Sequence, residues 1–195
     1  MTLRDLLLKT RSYRRFYEEK KISIEELKEM VDNVRLAPSA ANKQPLKFIL
    51  VTDENMNQKI FPYLRWAGYL PEWDGPGVGE RPTAYIIMMG NRKESPNIDA
   101  DYGIAMQTIM LSAVEKGYGG CLIGSFDKDK VRELLNIPSE LETPVIFALG
   151  KPKEEVVIDE VKEGNIKYWR DEQQVHHVPK RKLEDLIFKL IPQSH

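Results

Sequence analysis

Apolar residues recur along the chain at two spacings, which predict where helices and strands lie. Between Ser23 and Pro38 they recur every three or four positions, which predicts an amphipathic helix whose buried face carries Leu27, Met30, Val31 and Val34. Ser23 and Glu26 form a capping-box pattern that begins this helix. Pro38 ends it, because proline cannot continue the helical hydrogen bonds.

Short, uninterrupted apolar runs predict strands at residues 48–51, 84–89, 121–123 and 144–149. The first run is rich in branched residues and is expected to form a buried strand. The second and the fourth end at Gly90 and Gly150, and we expect both in the centre of a sheet.

A long helix is predicted between the second and third of these strands. Its apolar stripe comprises Tyr102, Ala105, Met106, Ile109, Met110, Ala113 and Val114. Ile104 and Leu111 lie off this stripe, so the helix is apolar around much of its circumference and is expected to be buried. Small residues would let a second helix approach closely, either within the chain or across a dimer: Ala100, Gly103, Ala105, Ser112 and Ala113.

Two further helices complete the pattern. A short one is expected around Val131, Leu134 and Leu135. The last one presents Leu183, Leu186, Ile187 and Leu190 on one face and is ended by Pro192. This mixture of helices and strands predicts an α+β or α/β fold around a four- or five-stranded sheet.

Length and composition narrow the class of protein. With 195 residues, 42% of them hydrophobic, the chain can bury one sizeable core, so one domain over residues 1–195 is expected. The formal net charge of -1 gives no attraction to nucleic acid or to an anionic membrane. The N-terminus lacks a signal-like apolar segment, and no stretch approaches the ~20 apolar residues of a membrane span, so we expect a cytoplasmic protein. Cys121 is the single cysteine and is interpreted as a small buried residue on a strand.

A first polar segment, residues 11–16, follows the N-terminal helix. Its Arg11 and Arg14 offer planar, permanently charged donors suited to phosphate oxygens, and Ser12 adds a hydroxyl. The alternative is a solvated charged turn.

A second polar segment, residues 37–45, joins the capped helix to the first strand. It contains Pro38, Ser39, Asn42 and Gln44, and its amide side chains both donate and accept hydrogen bonds. Such groups suit the hydroxyls and the pyrimidine edge of a flavin. The alternative is an ordinary turn in which Ser39 and Asn42 satisfy backbone groups.

A third polar segment, residues 175–182, is a basic cluster before the last helix, and its alternative is again solvated charge. His176 and His177 raise the possibility of a metal. Neighbours in an extended chain point to opposite faces, however, and no further ligand stands at suitable spacing, so no metal site is expected.

An aromatic region, residues 62–82, includes Trp66, Tyr69 and Trp73 before a glycine-rich stretch. These aromatic residues, next to glycine hinges, could form a lid and contact the substrate. They also match helical spacing, and such a stripe is more often core packing, so the core interpretation is favoured.

In their order, these motifs resemble the FMN-binding nitroreductase family. The resemblance covers nearly the whole chain and comprises the Arg-Ser-x-Arg-x-Phe start, the Pro-Ser-x-x-Asn-x-Gln-Pro turn and the basic C-terminal cluster. The opening of the central helix at Asp101, the turn at residues 117–120 and the strand end at Gly150 also match. Thr10 stands where many members carry a further arginine.

The resemblance implies a three-layer α/β/α sandwich that forms an intertwined homodimer with FMN at the subunit interface. It makes Arg11, Ser12 and Arg14 flavin ligands, with Lys180 or Arg181 at the phosphate. Residues of the second segment, namely Pro38, Ser39, Asn42 and Gln44, would lie beside the flavin, often from the partner subunit. The backbone of Gly119 and Gly120 would pass the ring.

The resemblance also implies the chemistry. FMN carries the reaction, so no catalytic side chain is expected, and Arg14 or another cation would stabilise the reduced ring near N1 and O2. NADH or NADPH would reduce the flavin, leave, and be replaced by a nitroaromatic or quinone-like acceptor in a ping-pong cycle. Two alternatives remain: a flavin carrier or sensor without turnover, and a variant that performs reductive dehalogenation or flavin cleavage.

Overall fold

The computed structural model describes residues 1–192, in which six α-helices and seven β-strands form. The helices are α1 (Leu3–Lys9), α2 (Ile24–Leu36), α3 (Glu54–Ile60), α4 (Ile98–Glu115), α5 (Lys128–Leu135) and α6 (Leu183–Leu186). The strands are β1 (Leu46–Val51), β2 (Ala84–Gly90), β3 (Gly119–Ile123), β4 (Glu142–Gly150), β5 (Val156–Glu160), β6 (Trp169–Arg170) and β7 (His176–Lys180). Among these residues, no helix is both long enough and apolar enough to cross a membrane.

The main sheet has four antiparallel strands in the order β1-β2-β4-β3. The central positions predicted for β2 and β4 are confirmed, and every residue of β2 is buried. Residues 48–51 do form part of strand β1, but the prediction that this strand is buried is wrong. β1 lies at the sheet edge, and only Val51 is buried. An edge strand has a neighbour on one side only.

Helices cover both faces of this sheet, which confirms the three-layer α+β arrangement. Alternate residues of a strand point to opposite faces. Ile86 and Phe147 therefore pack under α2 and α4, whereas Ile87 and Ile146 face the core that includes Ile60 of α3 and Val131 of α5. The capping box predicted at the start of α2 is present, since Ser23 and Glu26 exchange hydrogen bonds.

A second, three-stranded sheet lies outside the sequence prediction. Its order is β5-β7-β6, with β5 parallel to β7 and β6 antiparallel to β7. β6 and β7 are short and polar, so they lack apolar runs. β5 does carry the run Val156-Val157-Ile158, which is as long as the run at residues 121–123 and which the sequence prediction missed.

The predicted last helix is largely wrong. Only the four residues Leu183–Leu186 are helical, and Ile187 and Leu190 lie beyond the end. Leu183, Leu186 and Leu190 are exposed, so no packing within the described chain supports a helix here. A short helix without tertiary packing is marginal in water.

A core substitution tests this packing. Phe147 is fully buried, so Phe147→Ala should lower the free energy of unfolding by about 3–5 kcal/mol through lost contacts and a residual cavity. Urea denaturation measures this change. Val78→Ala is the control, because Val78 is exposed and should change stability by less than about 0.5 kcal/mol. Equal effects of the two substitutions would contradict the assigned core.

Candidate functional site

The first polar segment lies along the edge strand β3 and the end of β4. Ser12 forms a parallel bridge with Gly120, and the Tyr13 N–H donates to the Gly120 carbonyl at 2.9 Å. Further along, Phe16 forms an antiparallel bridge with Pro152. Residues 11–16 are therefore an extended addition to the sheet and not a solvated turn.

Two glycines permit this close approach. A Cβ on Gly119 would stand 2.5 Å from the Tyr13 ring, and one on Gly150 would stand 2.7 Å from the Phe16 ring. A Cβ on Gly120 would stand 2.6 Å from the Leu149 side chain and 2.7 Å from the Ala148 carbonyl oxygen, both on the neighbouring strand β4. The space beside Gly119 and Gly120 is thus filled by the chain's own residues.

Arg14 is buried within this segment. Its Nη1 donates to the Ser12 carbonyl at 3.2 Å and lies 3.1 Å from His176 Nε2. The guanidinium carbon lies 4.8 Å from the centre of the Tyr168 ring. The Nε atoms of Arg11 and Arg14 are buried without a hydrogen-bond partner among residues 1–192. Both arginines therefore retain a donor that an anionic ligand could satisfy.

A buried carboxylate anchors the segment from the other side. The side chain of Glu154 has no exposed surface, pairs with Arg170 at 2.9 Å, and accepts the backbone N–H groups of Arg14 and Arg15. Arg170 in turn lies over the Trp73 ring, with its guanidinium carbon 4.2 Å from the ring centre. The second sheet and the first polar segment are held together by these contacts.

Arg15 points the other way and forms a second anchor. Its Nε and Nη2 donate to the two carboxylate oxygens of Glu80 at 2.6 and 2.8 Å, and Lys153 reaches the same carboxylate at 2.9 Å. Chiefly through the hydrogen bond from Arg15, these cations lower the pKa of Glu80 to about 2.

The second polar segment is a strained turn. Ala41, Asn42 and Gln44 all adopt positive φ, at 51°, 54° and 50°. The Ser39 hydroxyl accepts the Gln44 N–H at 2.9 Å, and the Gln44 amide donates to Asn42. Left-handed backbone in residues other than glycine costs about 1–3 kcal/mol each and clusters at functional sites.

This turn borders a cavity of about 260 Å³ between α2, β1 and α4. The cavity lining includes Pro38, Ser39, Gln44 and Asp101, but not Arg11, Ser12 or Arg14. Asp101 is buried, and its Oδ2 has no hydrogen-bond partner among residues 1–192.

Comparison with known proteins identifies the family. The model of the nitroreductase family matches residues 7–151, which is most of the chain. The chain belongs to the nitroreductase family. This assignment confirms the resemblance and makes the protein an oxidoreductase.

Relatives of this nitroreductase-family chain carry different activities. An iodotyrosine deiodinase of Thermotoga neapolitana is 31% identical over 168 residues, covering 77% of this chain and 88% of the relative. A putative NADH dehydrogenase/NAD(P)H nitroreductase of Archaeoglobus fulgidus is 30% identical over 157 residues, covering 76% and 85%. Among solved structures, a nitroreductase family protein from Clostridium novyi superposes with a TM-score of 0.65 at 27% identity, covering 78% of this chain and 88% of the other.

Several predicted site residues are brought together in this nitroreductase-family chain. Ser12 lies beside Gly120, and Arg14 meets the second sheet, whose strand β7 ends at Lys180. The Lys182 Nζ atom lies 3.8 Å from Glu160 Oε2, so these two residues form an ion pair. Lys180 and Arg181 form no ion pair with any residue in 1–192.

The aromatic region forms no helix over residues 64–74, so its helical spacing is misleading. The Trp66 ring packs with Phe61 and Trp73 in the core, as the core interpretation expected. Tyr69 is exposed and lies against Tyr168, with ring centres 4.9 Å apart.

Cys121 is buried on β3, and burial raises the pKa of its thiol, which confirms its interpretation as a structural residue. His176 and His177 point to opposite faces of β7. His176 faces Arg14, and His177 lies between Asp159 and Asp171.

Sequence reasoning missed Glu80, Glu154, Tyr168 and Arg170. The aromatic and charged run at residues 168–171 was a usable signal, because aromatic residues are uncommon in a solvated charged tail. Nothing in the sequence distinguishes Glu154 from the glutamates near it.

We expect Glu154→Gln to lower the free energy of unfolding by about 3–5 kcal/mol, because it leaves buried Arg170 without a counter-charge. Urea denaturation measures the loss. Glu160→Gln is the matched control, since Glu160 is exposed and should change stability by less than about 0.5 kcal/mol. A small effect at position 154 would show that this carboxylate does not anchor the segment.

Glu80 makes stability depend on pH. Its folded pKa lies below the usual 4.5, so its contribution is present above pH 4.5 and is lost as the pH falls toward about 2. Unfolding free energies at about pH 6 and about pH 3 should therefore differ less in Glu80→Gln than in the unmodified protein. Glu72→Gln, which alters an exposed residue, should keep the original difference. An unchanged difference in Glu80→Gln would contradict the assignment.

Proposed function

We propose that this chain is an FMN-dependent oxidoreductase that uses NADH or NADPH to reduce a small nitroaromatic or quinone-like acceptor. The observation that carries the proposal is the pair of arginines on either side of Ser12, half-buried Arg11 and buried Arg14, each of which has a buried Nε donor without a partner among residues 1–192. The relative from Archaeoglobus fulgidus, named as a putative NADH dehydrogenase/NAD(P)H nitroreductase, supports the donor.

The residues present fit a phosphate-bearing cofactor. Guanidinium groups cannot lose their charge, and a buried donor without a partner costs about 1–3 kcal/mol. An anionic ligand would satisfy both Nε groups with charge-assisted hydrogen bonds. Arg11, Ser12 and Arg14 would hold the flavin, and Lys180 or Arg181, which have no ion pair among residues 1–192, would meet its phosphate.

The remaining ligands are proposed to come from a second copy of the chain. Ser39 and Gln44 line a cavity, and Asn42 lies beside it. Neither Arg11 nor Arg14 lines this cavity, so the two polar segments do not share it within one protomer. The backbone at Gly119 and Gly120 would lie near the flavin ring, and Tyr13 and Leu149 occupy the space that a Cβ on each glycine would need.

Exposed apolar side chains support a homodimer. Leu3, Leu7 and Leu8 on α1 are exposed, as are Leu36 on α2 and Phe188 beyond α6. Burial of apolar surface contributes about 25 cal/mol of favourable free energy per Å². A partner subunit would cover these residues, and residues 1–195 would act as one FMN-binding domain in each protomer.

FMN, when bound, would accept a hydride from the nicotinamide and pass electrons to the acceptor. For a nitro compound, the net reaction consumes NAD(P)H, one proton and R–NO₂, and yields NAD(P)⁺, R–NO and water. This chain's residues would bind and orient the reactants, and no side chain is required as a catalytic acid or base. Of the three aromatic residues predicted for the substrate site, Tyr69 is the one that would contact an acceptor, because it is exposed and lies against Tyr168, which contacts Arg14. Trp66 packs in the core, and Trp73 lies against Arg170.

Reductive dehalogenation is the second candidate, favoured by the 31% identity to an iodotyrosine deiodinase. In that reaction an aryl halide and NAD(P)H yield the arene, NAD(P)⁺ and a halide ion, so the carbon–halogen bond breaks and a carbon–hydrogen bond forms. Halide release from iodotyrosine, measured against nitroaromatic and quinone reduction by the same preparation, separates the two candidates.

The visible absorption spectrum of the protein after FMN addition and desalting tests cofactor binding. We expect retained flavin that bleaches on anaerobic titration with NADH or NADPH, followed by parallel initial-rate lines with an acceptor. Retained flavin that neither nicotinamide bleaches would favour a carrier. A protein that keeps no flavin would overturn the proposal.

Arg11→Ala should weaken FMN binding by about ten-fold or more, because a charge-assisted hydrogen bond contributes about 1.5–3 kcal/mol. Quenching of flavin fluorescence measures the affinity. Arg4→Ala is the control, because Arg4 is exposed on helix α1. This variant should bind FMN with the affinity of the unmodified protein. Equal affinity in the two variants would remove Arg11 from the site.

A further inference from the structure

The second sheet brings a histidine to Arg14. The family match ends at residue 151, so β7 and its His176 lie outside it. His176 has 1% of its surface exposed and Arg14 has 6%, and Nη1 of Arg14 lies 3.1 Å from Nε2 of His176. A contact this well buried and this short constrains both side chains.

The chemistry of the pair defines its protonation state. A guanidinium can only donate, so Nε2 must accept and the ring must be neutral with its proton on Nδ1. Nδ1 is buried without a hydrogen-bond partner among residues 1–192. Burial, with the charges of Arg14 and Arg170, lowers the pKa of His176 to about 4, so the neutral form persists at physiological pH.

The groups packed around His176 agree with a neutral ring. Arg14 acts on it from the first polar segment and Arg170 from β6, and the neighbouring His177 adds a weaker effect although it points to the opposite face of β7. The Tyr168 ring lies against it at 5.2 Å and also against the Arg14 guanidinium at 4.8 Å. Glu154 pairs with Arg170 and accepts the backbone N–H of Arg14, so its charge is balanced by Arg170.

The Arg14 guanidinium is therefore held on three sides, by the Ser12 carbonyl, the His176 nitrogen and the Tyr168 ring. Loss of the histidine acceptor would leave a buried donor unsatisfied and would free the guanidinium to turn. A protein side chain that becomes ordered only when the ligand binds lowers the affinity, whereas a side chain that is already ordered does not.

We propose that His176 is a positioning residue that holds the Arg14 guanidinium toward the flavin site, and that it thereby sets the affinity for flavin and the reduction potential of the bound cofactor. This inference rests on the proposed function, in which Arg14 is a flavin ligand. It adds a residue of the second sheet, beyond the family match, to the site.

Three variants test the role. His176→Phe keeps a ring but removes the acceptor, and it should weaken FMN binding about ten-fold and shift the midpoint potential of the bound flavin. His176→Gln restores an acceptor oxygen and should recover most of the affinity. His177→Gln is the matched control, because His177 faces Asp159 and Asp171 on the opposite side of β7 and should leave both quantities unchanged.

A measurement on the flavin-free protein separates this inference from the proposed function. Nitrogen-15 NMR at neutral pH should show His176 as the neutral tautomer with its proton on Nδ1, and Arg14→Met should abolish that preference and raise the pKa of His176. A protonated His176, or one with its proton on Nε2, would overturn the coupling even if His176→Phe failed to fold.

The outcomes with flavin complete the test. If the unmodified protein binds FMN and His176→Phe matches its affinity and potential, the positioning role is overturned while the proposed function stands. If the unmodified protein binds no FMN, the proposed function fails, and His176 loses its assignment to a flavin site whatever its tautomer.

Discussion

Glu154 carries a fully buried carboxylate, and the two parts of the chain that form the candidate site meet on it. It accepts backbone N–H groups from Arg14 and Arg15 and pairs with Arg170 of the second sheet. A buried charge is tolerated only when it is paired and hydrogen-bonded, so these contacts allow few alternatives. This anchor fixes the backbone of Arg14, and the guanidinium is then held by the Ser12 carbonyl, His176 and Tyr168.

Arg14 joins the family's common fold to a part of the chain that the family model does not match. The first polar segment lies along β3 and β4, inside the match at residues 7–151, whereas Tyr168, Arg170 and His176 lie outside it. Aromatic rings lie against the cations in this contact: Tyr168 against Arg14, and Trp73 against Arg170. Arg170 is neutralised by Glu154, whereas stacking orders Arg14 without neutralising it, which leaves the charge of Arg14 available to an anionic ligand.

The second half of the candidate site shows a different physical signature. Ala41, Asn42 and Gln44 hold left-handed backbone, and Asp101 keeps a buried oxygen without a partner among residues 1–192. Strain and unsatisfied polar groups are costs within a single protomer. They agree with a surface that is completed by a second copy and a bound cofactor, as the family resemblance implies.

Periodicity in the sequence was enough for the main sheet, its central strands and the helices α2, α4 and α5, because burial of apolar faces imposes spacings of two and about 3.6 residues. Motif order was enough for the family, and the resemblance it carries implies that Arg11, Ser12 and Arg14 are flavin ligands. Three features depend on which elements pack together: the second sheet, the edge position of β1 and the short length of α6. The spacing of apolar residues along the sequence does not show which elements pack together. The pairing of Arg14 with Glu154 and His176 likewise joins residues 140 and 162 positions apart, so only the tertiary structure decided which of many charged side chains would be buried together.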